Sequence, residues 1–134
     1  MELIDCLENS ANYLEQLRES IELSKGMLLL EDDYDGEGYL KPSKENWQKA
    51  TNWLFNFLQK SSISGKFIPI PDIFDGPGDG SIDIYWDGDK KLLMNITESD
   101  VIPYYGFEPY TNNEIKGQII IDDDAKDIIN WLKN

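Results

Sequence analysis

The chain has 134 residues, 26 acidic and 12 basic side chains, one cysteine and no histidine. That length suits one domain spanning residues 1–134, and 40% apolar with 12% aromatic residues argues against wholesale disorder. Without histidine the Ser-His and Cys-His nucleophilic systems and His-ligated metals are excluded, and a net charge of −14 with no basic arm disfavours nucleic acid and anionic lipid.

Residues 2–25 read as a helix. Leu3, Leu7, Ser10, Leu14, Leu17 and Ile21 fall on three- and four-residue steps, with Glu8, Glu15, Glu19 and Glu22 toward solvent. Gly26 is its expected C-cap. The apolar run Met27–Leu30 leads into Glu31-Asp32-Asp33-Tyr34-Asp35-Gly36-Glu37-Gly38, a loop by its charge and glycines. Ser43 then looks like the N-cap of a second helix over about residues 44–61, with Trp47, Ala50, Leu54, Phe57 and Leu58 on one face. Residues 67–74, FIPIPDIF, interleave apolar residues with prolines, which fits an extended edge segment.

Gly80 to Thr97 is the stretch around which the rest is arranged. Ile82, Ile84 and Trp86 alternate with Ser81, Asp83 and Tyr85, and Leu92, Met94 and Ile96 alternate with Leu93, Asn95 and Thr97, the signature of a hairpin with one buried face. A two-residue Asp87-Gly88 turn mixes the faces. A three-residue turn, Asp87-Gly88-Asp89, keeps one face apolar by pairing Trp86 with Lys90, Ile84 with Leu92 and Ile82 with Met94. The opposite face, with Tyr85, Asp83 and Leu93, is only partly polar. Val101–Phe107 is a further strand, Pro103 marking an edge or bulge, and Ile115–Ile121 another. Asp122 to Asp124 then supply an N-cap for a last helix at about 124–133, with Ala125, Ile128, Ile129 and Leu132 inward. The expected fold is α+β: an antiparallel sheet of about four to five strands with two N-terminal helices and one C-terminal helix packed on it.

Few residues point to chemistry. Cys6 stands among acidic neighbours that raise a thiol pKa and quiet it, so it reads as structural. Gly76 to Gly80 precedes a strand and carries acids that repel phosphate, so it is not a phosphate loop. Aligning Gly38 with the glycine of an EF-hand places Asp33, Asp35 and Glu37 at the first three ligand positions. Lys44 falls where a bidentate Glu is needed, so a calcium site there is degenerate, and the plainer reading is a turn whose carboxylates bond their own backbone. Asp87 with Asp89 is a weaker metal candidate. Tyr104, Tyr105, Phe107 and Tyr110 cluster in a Pro- and Gly-punctuated segment, and tyrosine is favoured at interfaces; the plainer reading is rings packed on the sheet.

Asp33 to Gly38, through Pro42-Ser43 to Trp47 and Ala50, and then Pro69 to Trp86, resemble a pattern of small bacterial proteins without an established activity. There an aromatic-Asp-Gly-x-Gly stretch leads into a helix, a Pro-rich strand and an Asp-Gly-Ser-Ile hairpin ending in Trp. Tyr34 and Tyr39 stand where that pattern has Trp and Ala. The resemblance covers residues 33–97 and implies the fold, not a site.

The leading expectation is a non-enzymatic protein-binding domain without a cofactor. It inhibits or neutralises a basic protein, as an antitoxin, immunity or anti-defence protein does, or in the extreme form mimics nucleic acid. Its contact candidates are Asp32, Asp33, Asp35, Glu37, Tyr104, Tyr105 and Tyr110. The alternative is a calcium-binding module using the acidic loop at residues 31–38, with Asp33, Asp35 and Glu37 as ligands. A carboxylate hydrolase comes third and needs a deep pocket with a raised-pKa Asp or Glu. With no signal-peptide or membrane-spanning pattern, a cytoplasmic monomer or weak homodimer is expected.

Overall fold

A computed structural model describes residues 3–33 and 36–133, with side chains from residue 8 onward. Tyr34, Asp35 and the side chains of Leu3, Cys6 and Leu7 therefore lie outside the described part. Helix α1 spans Leu3–Ser24 and runs on into a 3-10 turn at Lys25–Leu29. Leu17 is fully buried, with Leu14 and Ile21 packed beside the core, as their spacing predicts. Gly26 does not adopt the left-handed conformation of a C-cap. Ser24 marks the junction instead: its hydroxyl donates to the carbonyl of Ile21 (2.6 Å) and accepts the indole N–H of Trp47 (2.8 Å).

Helix α2 spans Lys44–Ile63, and Ser43 caps it in an extended conformation, its Oγ accepting the backbone N–H of Asn46 at 2.9 Å. Such a cap contributes about 1 kcal/mol. Trp47, Ala50, Leu54, Phe57 and Leu58 form the buried face, and Trp53 joins them by stacking on Phe57 at 4.8 Å between ring centroids.

Five strands follow: β1 Asp72–Asp75, β2 Ile82–Asp87, β3 Lys91–Ile96, β4 Val101–Glu108 and β5 Asn113–Ile120. They form one antiparallel meander in chain order. The Pro-rich stretch is thus an edge, and its strand begins only after Pro71. Pro103 lies in β4 one residue beyond the last β3 partner, Met94↔Tyr104, so its missing N–H costs that ladder nothing.

The hairpin register differs from expectation by two residues. Trp86 pairs with Leu92, Ile84 with Met94 and Ile82 with Ile96, and the three-residue turn is Gly88-Asp89-Lys90. A slip of two preserves both faces, so the apolar pattern is blind to it. The observed register sets Asp87 opposite Lys91, and the two ion-pair at 2.5 Å.

The last helix, α3, spans Lys126–Lys133 and starts later than the aspartates suggest, because Ala125 is left-handed (φ 55°). Asp123 Oδ1 accepts the N–H of Ala125 at 2.7 Å and holds that bend.

Helices α2 and α3 press on the same side of the sheet. Phe57 meets Trp86 edge-on, and the indole N–H of Trp131 donates to the carbonyl of Lys91 at 3.2 Å beside Gly106. A Cβ at Gly106 would stand 2.6 Å from that carbonyl, so the glycine lets α3 approach. Ile82, Ile84, Trp86, Leu92, Met94, Ile96 and Ile102 fill this side and are almost wholly buried. Each such side chain contributes roughly 1.5–3 kcal/mol.

Candidate functional site

Successive strand residues point to opposite faces, so the same strands must present a second set of side chains away from the helices. The register arranges that set in rows. Asp72, Tyr85, Leu93, Tyr105 and Lys116 lie across all five strands, with Asp87, Lys91, Phe107 and Glu114 in the row on one side. Phe74, Asp83 and Asn95 form the row on the other side, and Val101 and Ile120 pair beyond it. No described helix covers this face. Phe74 is 47% exposed, Leu93 40%, Tyr105 44% and Ile120 60%. Tyr105 and Phe107, with ring centroids 6.3 Å apart, form an aromatic pair at its centre.

Acidic groups are set among these apolar ones. Asp87 accepts from Lys91 Nζ and, at 3.2 Å, from the Tyr85 hydroxyl. The Lys91 hydrogen bond and charge hold its carboxyl below the usual range and raise Lys91 in turn. Asp83 is shifted the other way. Burial pushes its carboxyl up, the Asp79 and Asp75 charges add to that, and the 2.8 Å hydrogen bond from Asn95 Nδ2 opposes it. Asn95 also donates to Ser81 Oγ at 2.9 Å, and Ser81 donates to Asp79, whose pKa that bond lowers. On the far side partial burial and the Glu114 carboxylate raise Tyr105.

The residues singled out from the sequence are dispersed. Tyr104 and Tyr105, neighbours in β4, point to opposite faces: Tyr104 lies half-buried over Gly117 on the helix side, and Tyr105 on the open face. Tyr110 stands in the β4–β5 turn, 88% exposed. The acidic loop packs against the start of β2, where Leu40 N–H donates to Gly78 O, Ser43 N–H to Gly80 O, and the Tyr39 hydroxyl to Asp75. Within it Asp32 Oδ1 accepts the N–H of Lys41 at 3.0 Å, and Asp33, left-handed at φ 58°, accepts the N–H of Gly38 at 2.7 Å. These carboxylates bond the loop's own backbone. Glu37 is exposed and Asp35 lies outside the described residues. Among the described residues no three acidic or thiol side chains converge as a metal site. Asp87 and Asp89 sit at the end of β2 opposite to this loop, so the carboxylates that a nucleic-acid mimic gathers on one face lie at two ends of the sheet.

A cleft of about 640 Å³ runs between α2 and the Asp122–Asp124 turn, with Lys49, Trp53, Lys60 and Lys126 on its walls. Lys49 is committed to the carbonyls of Thr97, Glu98 and Ser99, which ties α2 to the β3–β4 turn. A second cleft of about 410 Å³ lies beside Pro69, Trp86 and Leu132. Asp83, the carboxyl raised by burial, lines neither, and Asp87, which borders the second, is shifted down, so neither cleft holds the raised-pKa carboxyl that a carboxylate hydrolase needs.

The open face was legible in part. Leu93 and Tyr85 stand out as apolar residues on the face opposite the core, whereas Phe74, Val101 and Ile120 join them only through the register. Comparison with protein-family models, with curated proteins and with solved structures returned no match. Among the described residues no helix is long and apolar enough to cross a membrane.

Proposed function

We propose that this chain is a small, non-enzymatic protein-binding domain that inhibits or neutralises a basic protein, docking it on the uncovered face of the sheet. The observation that carries the reading is the exposed set Leu93, Tyr105 and Phe107 lying among Asp72, Asp83, Asp87 and Glu114 in three adjacent rows of one face. Aromatic and aliphatic anchors amid carboxylates suit a partner with apolar knobs and lysine or arginine around them. The net charge of −14 steers such a partner in and repels acidic competitors. Tyr110 and the acidic loop, at opposite ends of the sheet, extend the attraction beyond the face itself.

The test is a pull-down from native lysate with the wild type and a Leu93→Lys/Phe107→Lys variant, washed at low and then high salt. A basic protein held by the wild type, released by salt and lost by the variant at unchanged melting temperature supports the reading. Retention of the same protein by both, or of no basic protein by either, overturns it.

A further inference from the structure

The cleft of about 640 Å³ between α2 and the Asp122–Asp124 turn lies on the helix side of the sheet, away from the open face. It differs in charge from the rest of the molecule. Four lysines and three aspartates line it, whereas acidic side chains outnumber basic ones by 26 to 12 along the chain. One wall is a single stripe of α2. Lys49, Asn52, Asn56 and Lys60 follow one another at three- and four-residue steps, and Lys66 joins them because its N–H donates to the carbonyl of Ser61 at 2.8 Å. The facing wall carries the aspartates. Trp53 and Phe57, stacked with an interplanar angle of 13°, and the half-buried Ile121 and Ile129 add a flat apolar lining.

The opposite charges of the two walls do not satisfy one another. Lys49 is bound to backbone carbonyls, and Lys126 and Asp124 pair along their own wall at 3.8 Å. Among the described residues no ion pair crosses the cleft, and the side chains of Lys60, Lys66, Asn52, Asn56 and Asp122 have no hydrogen-bond or ion-pair partner. A plain anion entering here meets three aspartates and the negative field of the whole chain, and a plain cation meets the lysines. A neutral molecule carrying both charges meets neither cost. We propose that this cleft binds a small zwitterion with a flat apolar body, its carboxylate toward Lys60 and Lys66, its ammonium toward Asp122 and Asp124, and its ring on the Trp53–Phe57 lining. That is the chemistry of a free aromatic amino acid and of its dipeptide. The volume lies within the range of small-molecule sites, and the amides of Asn52 and Asn56 supply donors and acceptors for the polar atoms between the two charges. The site is independent of docking on the open face, so either reading can fail alone.

NMR titration of the isotope-labelled chain with phenylalanine and with phenylalanyl-phenylalanine tests this, following the indole N–H of Trp53 and the side-chain amides of Asn52 and Asn56. The expected result is saturable shifts of those groups with a Kd of about 1 mM or tighter for at least one of the two ligands, the tighter one naming the source. The N-acetyl form of that ligand, which lacks the cation, and its C-terminal amide, which lacks the anion, each bind at least about tenfold more weakly. Lys60→Gln/Lys66→Gln changes two exposed side chains. It weakens the zwitterion to the same degree at unchanged melting temperature. No saturable shift with either ligand overturns the proposal. So does a singly charged analogue that binds as tightly as its parent, undiminished binding by the lysine variant, or a set of shifts that gathers at Leu93 and Tyr105 instead.

Discussion

On the helix side of the sheet Ile84, Trp86, Leu92 and Met94 are almost wholly buried. One residue away on the same strands, Leu93, Tyr105 and Phe107 keep more than a third of their surface in water. The side chains are of one kind, and what differs is what the chain lays over them. Short hairpin turns keep β2 to β5 in plane, so only segments outside the meander can cover it, and α2 and α3 both fold onto one side. A face left bare by topology while carrying rings and aliphatic groups is where a partner gains most from burial.

The contrast between the faces is sharpest in stability. Trp86→Ala removes a buried ring and the bond from its indole N–H to the carbonyl of Pro69 (2.6 Å), and costs about 3–5 kcal/mol in urea unfolding. Leu93→Ala, across the same hairpin, costs under about 1 kcal/mol. Equal losses at the two positions break the distinction drawn here. Gly106→Ala comes next, at about 1–3 kcal/mol, because its Cβ meets the Lys91 carbonyl and the Trp131 indole. A loss of near-UV circular dichroism in that variant, read at temperatures where it remains folded, checks that α3 has been displaced.

The smallest effect is electrostatic. Asp83 has its pKa raised by burial, so its stabilising, protonated form is fully present below the unfolded carboxyl value and is lost as pH rises through the folded one. At neutral pH the ionised group therefore costs stability. Asp83→Asn keeps an acceptor for Asn95 and raises stability at pH 7 by less than about 1 kcal/mol, since the group is partly solvated. The gain fades as pH falls below about 4. A gain of the same size at pH 7 and at pH 3 contradicts the assignment.

Much of this is legible in the sequence. Apolar period fixed which residues of β2 and β3 face the core, and Ser43 announced α2. The two-residue register error in the hairpin arose because a slip of two leaves every face intact; the Asp87–Lys91 pair that fits the true register is a tertiary fact. The aromatic segment misled for a related reason. Tyr104 and Tyr105 are adjacent in sequence, and adjacency in a strand separates side chains instead of gathering them. Phe74, Val101 and Ile120, distant in sequence, are neighbours only once the meander is closed.

Three of the four tryptophans mark joints between elements, and the fourth, Trp53, lies within α2. Trp47 sits where α1 meets α2, Trp53 stacks on Phe57, Trp86 bonds to the Pro69 carbonyl beside β1, and Trp131 anchors α3 over Gly106. The molecule thus carries its own optical gauge for each joint. Replacing three indoles in turn and following the emission of the fourth reports which joint opens first.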